Sequence, residues 1–98
     1  MGLFDFNSLA ADLAAPWRSA VVGQVGPANI KVLRMDGQPY VEETHDYNEG
    51  LLVIDGKLFL QAGQETIIVE HGQMYLAQAG TPHAVLPGSY GTLVIIDV

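Results

Sequence analysis

The chain of 98 residues has no cysteine and only four Lys and Arg residues. The first absence excludes a disulfide framework and thiolate chemistry, and it fits a reducing compartment. The second leaves a formal charge of −7. That charge argues against nucleic acid and anionic lipid as partners, since both favour basic patches. No apolar run approaches the length of a membrane span. The N-terminus lacks the basic start and apolar core of a signal peptide. Phe6 stands where a myristoylation signal would want Ser or Thr. These features predict a soluble, cytoplasmic protein. Charged residues make up only 15% and apolar residues 49%, a folded composition, and the length predicts one domain over 1–98.

Helix-forming pattern is almost as scarce. Within 1–17, Asn7 or Ser8 is positioned to cap a short helix through Ala15, with Leu9 and Leu13 on one face and Pro16 ending it. The remainder reads as strands at about 18–24, 29–35, 39–45, 50–55, 57–62, 65–70, 73–79, 82–86 and 91–98. Asp55-Gly56 is a two-residue hairpin signal, which makes Lys57 a turn residue. Many short strands at even spacing predict an all-β sandwich or barrel. Two runs, Ile67–Val69 and Leu93–Ile96, are continuously apolar, so they should be covered on both faces. In a domain this small a second subunit can supply the cover, and a homodimer is expected.

Against this apolar background Glu42, Glu43, His45, Asp46 and Glu49 crowd together with no Lys or Arg among them. Packed carboxylates repel one another unless protons, water or a cation intervene. Alternate strand residues share a face, so Glu43 and His45 point together while Glu42 and Thr44 point away. A one-residue slip would turn Glu42 inward instead. Glu49 opens the next apolar strand, and His83 follows the Gly80-Thr81-Pro82 turn. If these strands line one barrel, Glu43, His45, Glu49 and His83 converge inside it. Two imidazoles and two carboxylates suit a first-row divalent transition metal such as Fe, Mn, Ni or Zn. Asp46 and His71 read as solvated loop or turn residues. Tyr40, Tyr47 and Tyr75 read first as packing residues, and Trp17 as packing over the barrel or a dimer edge. Tyr75 lies in an alternating strand that could turn it into the pocket as a hydrogen-bond donor.

The glycine spacing carries more. Gly37, five residues, Glu43-Thr44-His45, three residues, Glu49, six residues and Gly56 resembles the first motif of the cupin superfamily. Gly72, five residues, Gln78-Ala79-Gly80, two residues and His83 resembles the second. The resemblance spans 37–87 and implies a small single-domain conserved-barrel cupin: a jelly-roll β-barrel of the RmlC-like type, often dimeric. Such proteins usually hold metal with three histidines and one glutamate. Here the resemblance assigns His45, Glu49 and His83 to ligand positions and puts Glu43 at the first histidine. Gln78 replaces the usual Pro and Pro87 the frequent Asn. Gly50 stands where many members carry a larger residue, which would open space near the metal. Glu43 has two readings, ligand or solvent-facing side chain.

Two imidazoles and two carboxylates bring a divalent ion to about zero net charge, against about +1 for three imidazoles and one carboxylate. The resemblance implies metal-dependent chemistry on a small organic molecule, of oxygenase or isomerase type among others. Glu43, Glu49 and Tyr75 are the catalytic candidates. The alternative is a non-catalytic binding or sensor module with an altered or degenerate metal site. Sparse cations mark down a phosphorylated substrate, so a neutral or cationic ligand is expected.

Overall fold

A computed structural model describes residues 2–98. It contains one helix, α1 (Phe6–Ala11), and eight strands: β1 (Ala20–Val25), β2 (Ala28–Asp36), β3 (Tyr40–Glu43), β4 (Glu49–Ala62), β5 (Glu65–Glu70), β6 (Met74–Ala77), β7 (His83–Val85) and β8 (Tyr90–Asp97). The fold is the expected all-β one, a curled antiparallel sheet. Its strand order is β1-β2-β8-β4-β7-β3, with β5 and β6 also paired to β4. Leu33, Met35, Leu51, Val53, Leu58, Leu60, Val69 and Leu93 form the core.

The Asp55-Gly56 hairpin does not form. The two expected strands on either side are one strand of 14 residues, β4, and Lys57 lies within it, paired with Glu70 at 3.5 Å. The cause lies in a distant glycine. Gly56 and Gly91 are register partners next to a shift in the β4–β8 ladder, with φ of 84° and 105°. A Cβ on Gly56 would collide with the Tyr90 carbonyl, and one on Gly91 with the Asp55 carbonyl. Two glycines at positive φ therefore let the backbones pass closely and bend β4 as a bulge instead of reversing it.

The bend decides the shape. A straight strand of this length would hold its ends roughly 43 Å apart. Yet His83 pairs with Ala62, the last residue of β4, while its side chain reaches Glu49, the first, at 3.1 Å. β4 therefore curls until its two ends face each other across the interior.

The N-terminal helix is shorter than expected and is capped by Asp5, whose Oδ1 accepts from the Ser8 amide at 3.2 Å. It stops at Ala11 because the carbonyls of Ala10 and Leu13 accept from the Arg34 guanidinium, at 2.6 and 3.2 Å, and tie the segment to β2.

Candidate metal centre

The site forms where the curl brings three chain segments together. Glu43 ends β3, Glu49 opens β4 and His83 opens β7. Between β3 and β4 the chain is irregular, yet the alternation persists: Glu42, Thr44, Asp46 and Asn48 are exposed, whereas Glu43, His45, Tyr47 and Glu49 turn inward. Two hydrogen bonds fix this segment. The Gly80 amide donates to the His45 carbonyl at 2.8 Å, and the Ala79 amide donates to Asn48 Oδ1 at 2.9 Å. The turn before His83 thus positions His45.

Glu43, His45, Glu49 and His83 each offer a ligand atom, all within 4.8 Å of one another. His45 Nε2 lies 3.4 Å from Glu43 Oε2 and 3.8 Å from Glu49 Oε2. Neither contact is a hydrogen bond, and this buried nitrogen has no hydrogen-bond partner. His83 Nδ1 lies 3.1 Å from the Thr81 carbonyl. Donation there leaves the Nε2 lone pair facing Glu49 Oε1 at 3.1 Å, where it meets a carboxylate unless a proton or cation sits between them. Two atoms each about 2.1 Å from one metal and at right angles are roughly 3.0 Å apart, close to the spacing seen. The donor set therefore fits a divalent ion. Glu49 and His83 are buried, whereas the Glu43 side chain is 40% exposed.

These residues line a cavity of about 190 Å³. Its body is apolar, with Leu33, Leu51, Leu60, Leu93 and Ile95. The Tyr47 ring stacks on His45 at 4.9 Å and 13°. Burial, reinforced by the charges of Asp97 and Glu49, pushes its phenol above the ordinary value. Trp17 sits at the cavity wall, stacked on Tyr40, with Nε1 donating to Asp36 at 2.5 Å.

Three expectations change here. Tyr75 is not brought to the cavity: it packs against the core and lines a separate groove with Ile67, Val69 and Met74. Gly50 opens no space near Glu43, His45, Glu49 and His83, because it faces Met74 and Ile96 on the opposite side of the sheet. The expectation of a neutral or cationic ligand rested on sparse cations, yet one of them, Lys31, lines the cavity, paired with Asp97 at 2.7 Å. Tyr47 could have been found by extending the 43–45–49 alternation. Lys31 and Asp97 lie on β2 and β8, outside both motifs, and carry no local signal.

Residues 33–98 match the cupin domain family. No curated protein matches the chain in sequence. Among solved structures it is similar to a cupin-2 domain-containing protein from Shewanella frigidimarina, at 22% identity and a TM-score of 0.88, covering 97% of this chain and 93% of that one. It is also similar to a putative mannose-6-phosphate isomerase from Ralstonia eutropha, at 15% and 0.74, covering 90% and 92%. KdgF from Halomonas sp. aligns at 18% and 0.66, covering 80% and 74%. At these identities the structural likeness establishes the fold. With two thirds of its length matching the family and its strands in that arrangement, the chain belongs to the cupin superfamily.

Proposed function

We propose that this cupin binds a divalent transition metal through Glu43, His45, Glu49 and His83 and takes a small, non-phosphorylated organic molecule beside it, with chemistry of oxygenase or isomerase type. The observation that carries the reading is the His45 imidazole, whose buried Nε2 has no hydrogen-bond partner and faces two carboxylates. A buried polar atom without a partner costs about 1–3 kcal/mol, and a cation among these four groups removes that cost. When bound, a divalent ion would supply Lewis acidity toward a substrate oxygen. Glu49 is held by His83 and suits ligation, whereas the more exposed Glu43 can ligate or move a proton at a substrate carbon or oxygen. Protein purified without chelator should carry near-stoichiometric metal by elemental analysis. Protein that takes up none of Mn, Fe, Ni or Zn would sink this reading.

A second reading is a non-catalytic binding or sensor module, favoured by the carboxylate at position 43 and its exposure. Bound metal with no oxygen uptake or turnover across a substrate panel would select it.

The homodimer expectation also finds a surface. Met74, Leu76, Ile96 and Val98 are exposed and line a shallow groove with Ala28 and Gly50. That is the outer side of the apolar β8 run, uncovered in one protomer. Light scattering after size exclusion should give a dimer, and Leu76→Lys or Ile96→Lys should shift it to monomer. A monomeric wild type at micromolar concentration would overturn the assignment.

A further inference from the structure

We propose that Lys31 is the anion anchor of this cavity and that the molecule taken there carries a single carboxylate. The inference deepens the ligand reading above and rests on it. Among the described residues that line the cavity, Lys31 is the only Lys or Arg. It reaches the site from the middle of β2, in register with Ile95 of β8.

Its position is fixed by a built pair. Lys31 Nζ donates to Asp97 Oδ2 at 2.7 Å, and Asn29 Nδ2 donates to Asp97 Oδ1 at 3.1 Å. The Asp97 side chain is only 3% exposed. An ammonium has three N–H donors, and Asp97 uses one of them. The hydrogen bond to Asp97 outweighs burial and, with the negative charges of Asp97 and Glu49, raises the Lys31 pKa above its ordinary value. It therefore stays a cation at neutral pH.

The charge of the site limits how many negative charges a ligand can bring to Lys31. Glu43, Glu49 and Asp97 are three carboxylates against one ammonium, so a divalent ion brings the cavity to zero. The sole fixed side-chain cation is partly neutralised by Asp97. A phosphate ester would bring two charges to that one ammonium, whereas a monocarboxylate brings one. The volume, about 190 Å³, is below the roughly 300–1,000 Å³ of drug-sized pockets. A short acid fits these limits, with an apolar body on Leu33, Leu51 and Leu93 and a second oxygen for the metal.

The test uses Mn-loaded protein and three oxo-acids of increasing length, pyruvate, acetoacetate and levulinate, each compared with its methyl ester. Trp17, the only tryptophan, lines the cavity and reports binding by fluorescence, with calorimetry as a second readout. At least one acid should bind about tenfold to a hundredfold tighter than its ester, the worth of one charge-assisted hydrogen bond. Lys31→Met combined with Asp97→Asn, which neutralises the pair together, should abolish that difference while Mn stoichiometry is unchanged. Lys31→Arg should retain a preference for acid. Equal binding of acid and ester by the wild type, or binding of no acid, would overturn the anchor, and neither result depends on a variant folding. Absence of metal uptake would instead sink the metal reading, and the same comparison on metal-free protein would still decide the anchor.

Discussion

His83→Ala is expected to lower metal affinity by about two orders of magnitude or more and to remove the thermal shift that metal produces. The wild type at a free metal concentration a hundred times Kd should gain about 2.7 kcal/mol. In a domain this size that raises Tm by about 10–20 °C. The variant loses a proposed ligand whose Nδ1 is pinned to the Thr81 carbonyl, so no neighbour can replace it without moving the turn. It also leaves Glu49 buried beside an empty space. His83 is the hydrogen-bond partner of that carboxylate, and leaving a buried polar group without its partner costs about 1–3 kcal/mol. The metal-free variant should therefore be less stable than metal-free wild type. His83→Gln, which keeps a donor near Glu49, separates the two effects: it should recover part of the stability and little of the metal affinity. Glu43→Gln should cost far less than His83→Ala, because the Glu43 side chain is 40% exposed and water can take its place. The measurements are metal titration and calorimetric unfolding with and without metal. Equal affinity in His83→Ala and wild type would remove His83 from the ligand set.

Gly91→Ala should destabilise the fold by about 3–5 kcal/mol, as backbone strain and steric clash add. Few single substitutions cost that much, and a domain near 100 residues would lose roughly 12–40 °C in Tm. The new methyl meets the Asp55 carbonyl and the Gly56 Cα, which are backbone atoms that cannot rotate aside. Gly26→Ala, also at positive φ but with open space around it, should cost only about 1 kcal/mol. Gly91→Ala should weaken metal binding too, although Gly91 is not a ligand. The crossing bends β4, and that bend brings Glu49 to His83. Denaturant unfolding of the two variants, paired with metal titration, checks both effects. A Gly91→Ala protein as stable as Gly26→Ala would show that β4 can bend without the close crossing.

The parts of the molecule readable in the sequence are those whose signal is local. The phase of Glu43, His45 and Glu49 follows from strand alternation, and it separates them from the exposed Glu42 and Asp46. Motif spacing adds His83, which no local pattern would single out. What failed was decided at a distance. Asp55-Gly56 has the chemistry of a hairpin turn, but Gly91, far along the chain, makes it a bulge. The helix was expected to reach Ala15, but Arg34 on β2 takes its last carbonyls. Lys31 and Asp97 look like solvated charges until the β2–β8 pairing brings them together. Tyr75 alternates correctly, yet strand period names a face and not which part of that face lies at the cavity.

The side chains of the proposed site are not held alike. Glu43, Glu49 and His83 stand on strands paired to their neighbours, whereas His45 sits in the irregular stretch between β3 and β4. Local opening of such a stretch needs far less free energy than opening paired core strands. Release of an ion held by these four groups would then be sequential. The 44–48 stretch would lift first and take His45 with it, while the groups on paired strands would keep hold of the ion. Its residence time would depend on the two bonds from Ala79 and Gly80 that fasten this stretch, so the turn that carries the second motif would govern how long the first motif keeps an ion.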